Sequence, residues 1–74
     1  MFETIVDILT ENAETVPAAI TEQTELVSDM GFSSLDVVNL VVRFEDEFNI
    51  EIPDKDIRTL KTVGDILRYI EDHA

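Results

Sequence analysis

The chain has 74 residues, so it can form one small domain that buries only about 60% of the surface its unfolded form exposes, leaving little interior for an enclosed active site. Its 17 acidic and 5 basic residues give a net charge of -12, which repels nucleic acid and anionic lipid headgroups and favours basic partners. With no cysteine for disulfides or thiolate metal sites, and no apolar run fit for a membrane span or a signal peptide, we expect a cytoplasmic monomer without stable membrane insertion.

The first predicted element is an amphipathic helix near residues 2 to 12. Its apolar residues recur at i, i+3, i+4 and i+7, the spacing of one helical face. They are Phe2, Ile5, Val6 and Leu9. Glu3 in the first turn suits the helix dipole.

A long loop is predicted over residues 13 to 32, where no extended periodic pattern is found. We expect Pro17 and residues 18–20 to form one helical turn, with proline at its first position. The apolar residues of this segment should hold the loop against the core. They are Val16, Ile20, Leu26, Val27, Met30 and Phe32.

A second helix is predicted over residues 34 to about 48, after Gly31, which is expected to interrupt the chain before the helix begins. The Ser33 hydroxyl can accept the amide of Asp36 while the Asp36 carboxylate reaches back, which is a capping box. The broad apolar stripe that forms the expected core face comprises Val37, Leu40, Val41, Phe44 and Phe48. The second, narrower stripe comprises Leu35, Val38 and Val42, and either packs under the first loop or lies exposed beside Ser34.

Two further helices are predicted after Pro53 ends the pattern. Asp54 should cap a short third helix with Ile57 and Leu60 pointing inward, and Thr62 and Asp65 should start a last helix that runs to about residue 72. The inner face of that helix is Val63, Ile66, Leu67 and Ile70, and we expect His73 and Ala74 to be frayed. The predicted fold is therefore all-α, a small bundle of three main helices plus one short helix with a long first loop, and residues 1–74 form a single domain.

The adjacent serines at the start of the second helix are the candidate functional site. If Ser33 is occupied with capping, the Ser34 hydroxyl is free at a helix end whose amides carry partial positive charge. Such a hydroxyl can hold out a phosphate-linked group. The alternative is that both serines only begin a helix.

The central part of the sequence resembles the acyl carrier proteins. Their pattern of Asp-Ser-Leu-Asp, an apolar helix with an acidic cluster and Phe, and Ile-Pro-Asp is similar to Ser33-Ser34-Leu35-Asp36, Phe44-Glu45-Asp46-Glu47-Phe48 and Ile52-Pro53-Asp54. Leu60 to Asp65 also looks like the family, and the resemblance spans nearly the whole chain. It implies that a phosphopantetheinyl transferase attaches 4′-phosphopantetheine from coenzyme A to Ser34. The terminal thiol of that arm would then carry acyl groups as thioesters, and the carrier itself would catalyse nothing. The implied pathway is fatty acid biosynthesis or a related one, which includes specialised pathways such as polyketide assembly.

The resemblance also implies a docking face for acyl-processing enzymes with basic patches. We expect enzymes to bind this face more weakly as salt rises, because charges at the rim of an interface mainly speed the encounter of the two proteins and are screened by salt. Its predicted members are Leu35, Asp36, Val38, Val42, Glu45 and Asp46, with Ile52 and Asp54 at the far edge.

Four positions depart from the family pattern. Ser33 stands where Asp is usual, Asn39 where an acid is common, and Arg43 places a positive charge in the acidic helix. These changes predict altered partner preference. Ile57 is larger than the residue often found there, which predicts reduced space for an acyl chain between the helices.

Two alternative functions follow from the same residues. The chain could carry aminoacyl or peptidyl groups, or it could be an unmodified acidic helical module that binds a basic protein. A calcium-binding EF-hand is excluded because no acidic loop has glycine at its sixth position, and loose surface binding of cations is the remaining option. His73 is interpreted as a solvated tail residue rather than a catalytic base, and Tyr69 as a packing residue.

Overall fold

Four helices make up the architecture of the computed structural model, which describes residues 1–73. They are α1 (Phe2–Asn12), α2 (Ser34–Phe48), α3 (Asp54–Ile57) and α4 (Val63–His73). The predicted all-α class, with three main helices, one short helix and a long first loop, is confirmed. Helix α1 packs against α2 and α4, and α3 packs against α2. Among the described helices, none is long and apolar enough to cross a bilayer.

The core draws on every main helix, mostly through the apolar stripes that the sequence predicts, although the buried Ile8 of α1 was not predicted. Ile5 and Leu9 of α1, Phe44 of α2, and Ile70 of α4 are all almost completely buried. The predicted core stripe of α2 is buried except for Phe48, which is half-buried against the same cluster. Because these stripes face inward, the opposite surface of α2 is left facing solvent.

The first loop is held down at fewer points than predicted. Leu26, Met30 and Phe32 are buried, but Val16 is 52% and Val27 62% exposed, so the prediction for these two valines is wrong. The Leu26 amide donates to the Lys61 carbonyl at 3.0 Å, and Glu25 forms an antiparallel bridge with Thr62. The amides of Asp29 and Met30 both donate to the Glu25 carbonyl, so residues 26–30 form a turn in which Leu26 is buried and Val27 is exposed.

The helical turn predicted at Pro17 is also wrong, because the chain bends at residues 18 and 19 and none of residues 17–20 is helical. A single isolated turn fixes several dihedral angles for one hydrogen bond and is unfavourable without further support. Ile20 nevertheless packs against the core from this segment, where it is partly buried.

The start of α4 follows the predicted capping pattern. The Asp65 amide donates to Thr62 Oγ1 at 3.1 Å, and the Thr62 amide donates to Asp65 Oδ2 at 3.1 Å. Partial burial raises the pKa of Asp65, but the hydrogen bonds from the amides of Lys61 and Thr62 and from Arg68 outweigh it and lower the pKa overall. The carboxylate therefore stays ionised and keeps the cap in place.

Two helix ends differ from the sequence prediction. Asp54 is the first residue of α3 and not its cap, because Pro53 occupies the N-cap position without a side-chain hydrogen bond. His73 belongs to α4, and its ring stacks on Tyr69 with centroids 4.0 Å apart. The predicted fraying is therefore wrong for His73, whereas Ala74 lies outside the described residues.

Tyr69 connects α4 to α3 through its hydroxyl group, which donates to Asp56 Oδ2 at 2.7 Å. Burial raises the pKa of Tyr69 to about 12, and the hydrogen bond to Asp56 and the charges of Asp56 and Glu45 act in the same direction. The folded pKa lies above the ordinary value of 10.0, so the contribution to stability is complete below that pH and is lost as pH rises through about 12.

We expect Asp56→Asn to lower the pKa of Tyr69 toward its ordinary value, because the variant removes a negative charge that disfavours the phenolate. Tyr69 is the only tyrosine, so its titration can be followed by ultraviolet absorbance without overlap. Asp54→Asn is the matched control, since it removes a carboxylate from the same helix without touching the hydroxyl. Equal tyrosine pKa values in the two variants would contradict this account.

Candidate functional site

The start of α2 is fixed by a complete capping box. Ser33 lies in extended backbone with φ -83° and ψ 172°, and its Oγ accepts the Asp36 amide at 3.2 Å. In return the Ser33 amide donates to Asp36 Oδ2 at 2.9 Å. Gly31 lies two residues before this cap in a left-handed conformation with φ +74°, which glycine adopts without steric cost. The predicted role of Ser33 is confirmed.

Ser34 is the first residue of α2 and is exposed to solvent. It takes no part in the capping hydrogen bonds, which are made by Ser33 and Asp36. The helix begins with amides that lack intrahelical acceptors, and their partial positive charge favours a nearby anion. Ser34 therefore presents a hydroxyl suited to a phosphate ester.

A groove of about 740 Å³ opens beside Ser34, between α2 and α3. Its apolar lining includes Val37 and Val38 of α2 and Ile57 and Leu60 from the α3 region. A volume of this order is typical of small-molecule sites, which run from about 300 to 1,000 Å³. A flexible group attached to Ser34 thus has adjacent space in which to lie, and Ile57 forms part of its wall.

The second apolar stripe of α2 is exposed. Leu35 is 69%, Val38 43% and Val42 50% exposed, so the alternative in which the stripe packs beneath the first loop is wrong. The carboxylates of Asp36 and Asp46 lie on the same exposed helix. An apolar strip flanked by acids is the surface chemistry of a protein contact rather than of a folding core.

Two residues of the predicted docking face, Ile52 and Glu45, are less accessible than predicted. Ile52 is only 5% exposed, so its placement on an accessible docking face is wrong. Its side chain joins the hydrophobic core, and its amide donates to Glu45 Oε2 at 2.8 Å. Glu45 is consequently half-buried with one carboxylate oxygen engaged, whereas Asp54 is exposed and lines the groove beside Ser34.

Arg58 and Lys61 also line this groove, and the sequence reasoning missed both of them. The available signal was their proximity in the sequence to Ile57 and Leu60, which were expected to point inward. Within residues 1–73 there is no cluster of three or more residues suited to hold a metal ion. The site therefore consists of one exposed hydroxyl, an apolar groove and charged residues at its border.

The fold and this site together are those of a small acidic helical domain with an exposed hydroxyl and an adjacent groove at the start of its second helix, an arrangement that suits a carrier of a covalently attached group. His73, the only histidine, lies at the end of α4, where its Nδ1 is 2.8 Å from the Tyr69 carbonyl oxygen.

Comparison with known proteins identifies the family. The chain matches a family described as the phosphopantetheine attachment site over residues 3–70. It is 44% identical over 71 residues to the acyl carrier protein of Wolinella succinogenes, covering 96% of this chain and 93% of that protein. It is 42% identical over 73 residues to the acyl carrier protein of Helicobacter pylori strain J99, covering 99% and 94%. A solved structure from Mycobacterium tuberculosis, assigned as an acyl carrier protein, gives a TM-score of 0.86 at 35% identity, covering 96% of this chain and 95% of that one.

The chain belongs to the family of phosphopantetheine-carrying acyl carrier proteins. The resemblance inferred from the sequence is confirmed, and the prosthetic group of the family is a covalently attached 4′-phosphopantetheine. Members of the family are carriers that work with phosphopantetheinyl transferases and acyl-processing enzymes. The exposed hydroxyl of Ser34 and its adjacent groove fit the attachment of such an arm.

Proposed function

We propose that Ser34 carries the 4′-phosphopantetheine arm and that the chain delivers acyl groups to enzymes without catalysing a reaction itself. The observation that carries the proposal is the difference between two adjacent serines. Ser33 is engaged in the capping box, while Ser34 is exposed at the helix start and borders the groove. When bound, the arm supplies a terminal thiol that holds an acyl group as a thioester.

The chain contributes an accessible oxygen to the attachment step, and the transferase and coenzyme A supply the rest. The Ser34 Oγ atom forms a bond to the phosphorus of the pantetheine phosphate in coenzyme A, the bond from that phosphorus to the oxygen of 3′,5′-ADP breaks, and the hydroxyl proton passes to a base on the transferase or to solvent as 3′,5′-ADP leaves. A flexible arm then confines its acyl group near a docked enzyme and raises the effective concentration. The transferase is thus the first partner of the chain, which it contacts through a basic surface.

The docking face that we propose consists of the exposed apolar stripe and its acidic border. Leu35, Val38 and Val42 supply the apolar contact, and Asp36, Asp46 and Asp54 supply the exposed charge, with Glu45 half-buried at the edge. Basic patches on enzymes complement this surface. The names of the relatives support acyl cargo over aminoacyl or peptidyl cargo.

Four further points stay predictions. They are fatty acid or related biosynthesis as the pathway, a monomeric state, the cytoplasm as the location, and a single carrier domain over residues 1–74. The family match over residues 3–70 supports the single domain. The same match disfavours the unmodified protein-binding module. The net charge of -12 supports basic protein partners over nucleic acid.

The attachment site can be mapped directly on the unaltered protein. Incubation with coenzyme A and a phosphopantetheinyl transferase should increase the intact mass by one phosphopantetheine group. Fragmentation of the modified protein should place that group on Ser34. No increase in mass, or a group located on another residue, would reject the proposal.

Val42→Ser should impair docking while leaving the fold intact, because the Val42 side chain is already 50% exposed. We expect kcat/KM of the transferase to fall about fivefold, equivalent to about 1 kcal/mol of binding at the centre of an interface. Val16→Ser is the matched control, since Val16 is 52% exposed in the first loop and lies outside the docking face.

The same measurement at rising salt should show an increase in KM for the wild type, since the acidic border acts through screened charges. Equal rates for the two valine variants would contradict the location of the docking face. A KM that is independent of salt would contradict its electrostatic character.

A further inference from the structure

Two basic side chains border the groove beside Ser34, although the chain as a whole is strongly acidic. Arg58 follows α3, and Lys61 lies in the segment that connects α3 to α4. Both residues line the same groove as the Ser34 side chain. A group attached to Ser34 would therefore meet positive charge on the side of the groove formed by the α3 region.

These cations are not neutralised by the ion pairs that the described residues form. Those ion pairs use the other two arginines, and they join Arg43 to Glu11 and Arg68 to both Glu22 and Asp65. Arg58 and Lys61 take part in none of them, even though acidic residues outnumber basic ones by 17 to 5. Their charged donors are accessible, since both residues are exposed.

A phosphodiester on Ser34 would bring a permanent negative charge into this surrounding. Asp36 follows two residues later, and Glu25 and Asp54 line the groove, so the nearby carboxylates repel it. Arg58 and Lys61 are the cations that line the groove among residues 1–73. A guanidinium group contacts two phosphate oxygens at once, and an ammonium group adds a compact charge.

We propose that Arg58 and Lys61 bind the phosphodiester of the arm and thereby connect the start of α2 to the α3 region. The inference rests on the proposed function of Ser34. Although Tyr69 donates to Asp56 and Ile57 packs against the core, helix α3 has 4 residues, no side-chain cap hydrogen bond and no fully buried residue, so few contacts hold it in place. A contact between the arm and these two cations would stabilise it and direct the arm along the groove.

Hydrogen–deuterium exchange of the α3 amides in the unmodified and modified protein tests this contact. At low ionic strength, modification should slow exchange by about two- to fivefold, the range that exposed charge pairs produce. The double variant Arg58→Gln, Lys61→Gln should lose this slowing. Lys55→Gln should retain it, because Lys55 lies on the same helix but does not line the groove.

The phosphorus-31 resonance of the arm gives a second measurement that does not depend on α3. Its chemical shift should move with added salt in the wild type and stay nearly constant in the double variant. Intact mass must first show complete modification of every variant, and a wild type that gains no mass would reject the attachment site rather than the cation contact.

Three outcomes in fully modified protein would overturn the proposal. Equal exchange in the wild type and the double variant would show that the cations are not engaged. Equal loss in Lys55→Gln would show a general effect of helix charge. Slowing that appears only when the arm carries a succinyl group, and not with a bare thiol or a butyryl group, would assign the cations to a carboxylate of the acyl group.

Discussion

Ser34→Ala should abolish attachment of phosphopantetheine, and intact mass after incubation with coenzyme A and the transferase should remain that of the unmodified chain. The hydroxyl oxygen is the only atom removed, and it makes none of the capping hydrogen bonds. Alanine has the highest helix propensity, so α2 should form at least as well as in the wild type. The expected loss of modification is therefore complete while the fold is retained.

Ser33→Ala is the matched control for this variant, because it removes a hydroxyl from the adjacent residue. It should still accept the arm but lose about 1 kcal/mol of stability, the usual effect of deleting an N-cap side chain. Chemical denaturation of both variants measures that difference. Modification that survives in Ser34→Ala and disappears in a folded Ser33→Ala would exchange the roles that we assign to the two serines.

The starts of α2 and α4 were predictable from the sequence because their determinants are local. The capping residues Ser33 and Asp36 lie within one helical turn, as do Thr62 and Asp65. The exposed hydroxyl of Ser34 follows from the first of these caps. For the same reason, helical spacing predicts the buried apolar residues of α2 and α4, and Ile5 and Leu9 of α1, although it missed the buried Ile8.

Positions that depend on distant partners were not predictable in this way. The turn that leaves Val27 exposed begins where the Leu26 amide donates to the Lys61 carbonyl, which lies far along the chain. Ile52 is buried partly because Glu45 accepts its amide. Arg58 reaches the groove of Ser34 only because α3 packs against α2, a placement that the spacing within a four-residue helix does not determine.

Gly64→Ala should destabilise the protein by about 1 to 3 kcal/mol, the cost of overpacking a well-packed site. In an exposed helix the same change would stabilise by about 1 kcal/mol, because alanine is the better helix former. Here a Cβ atom would lie 2.9 Å from the backbone carbonyl oxygen of Glu22 and 3.1 Å from its Cβ. Backbone cannot move aside as a flexible side chain does, so the steric cost should exceed the gain in propensity.

The close approach at Gly64 attaches the first loop to α4. The Gly64 amide donates to the Glu22 carbonyl at 2.9 Å, and the next contact joins the Val63 amide to the Thr24 carbonyl at 3.0 Å. A shift of Glu22 would therefore weaken both hydrogen bonds and loosen the loop that leads to Ser33. Thermal or chemical unfolding of Gly64→Ala measures the loss.

Gly31 is the control for this steric argument, because it is a glycine whose replacement meets no crowding. A Cβ atom at Gly31 would meet nothing within 4 Å, and only its φ of +74° restricts substitution. Gly31→Ala should therefore lose stability that Gly31→Asn largely restores, since asparagine tolerates left-handed backbone. At Gly64 the asparagine variant should be no better than alanine, because both introduce a Cβ atom. Wild-type stability in Gly64→Ala would show that the loop can move away from α4 without cost.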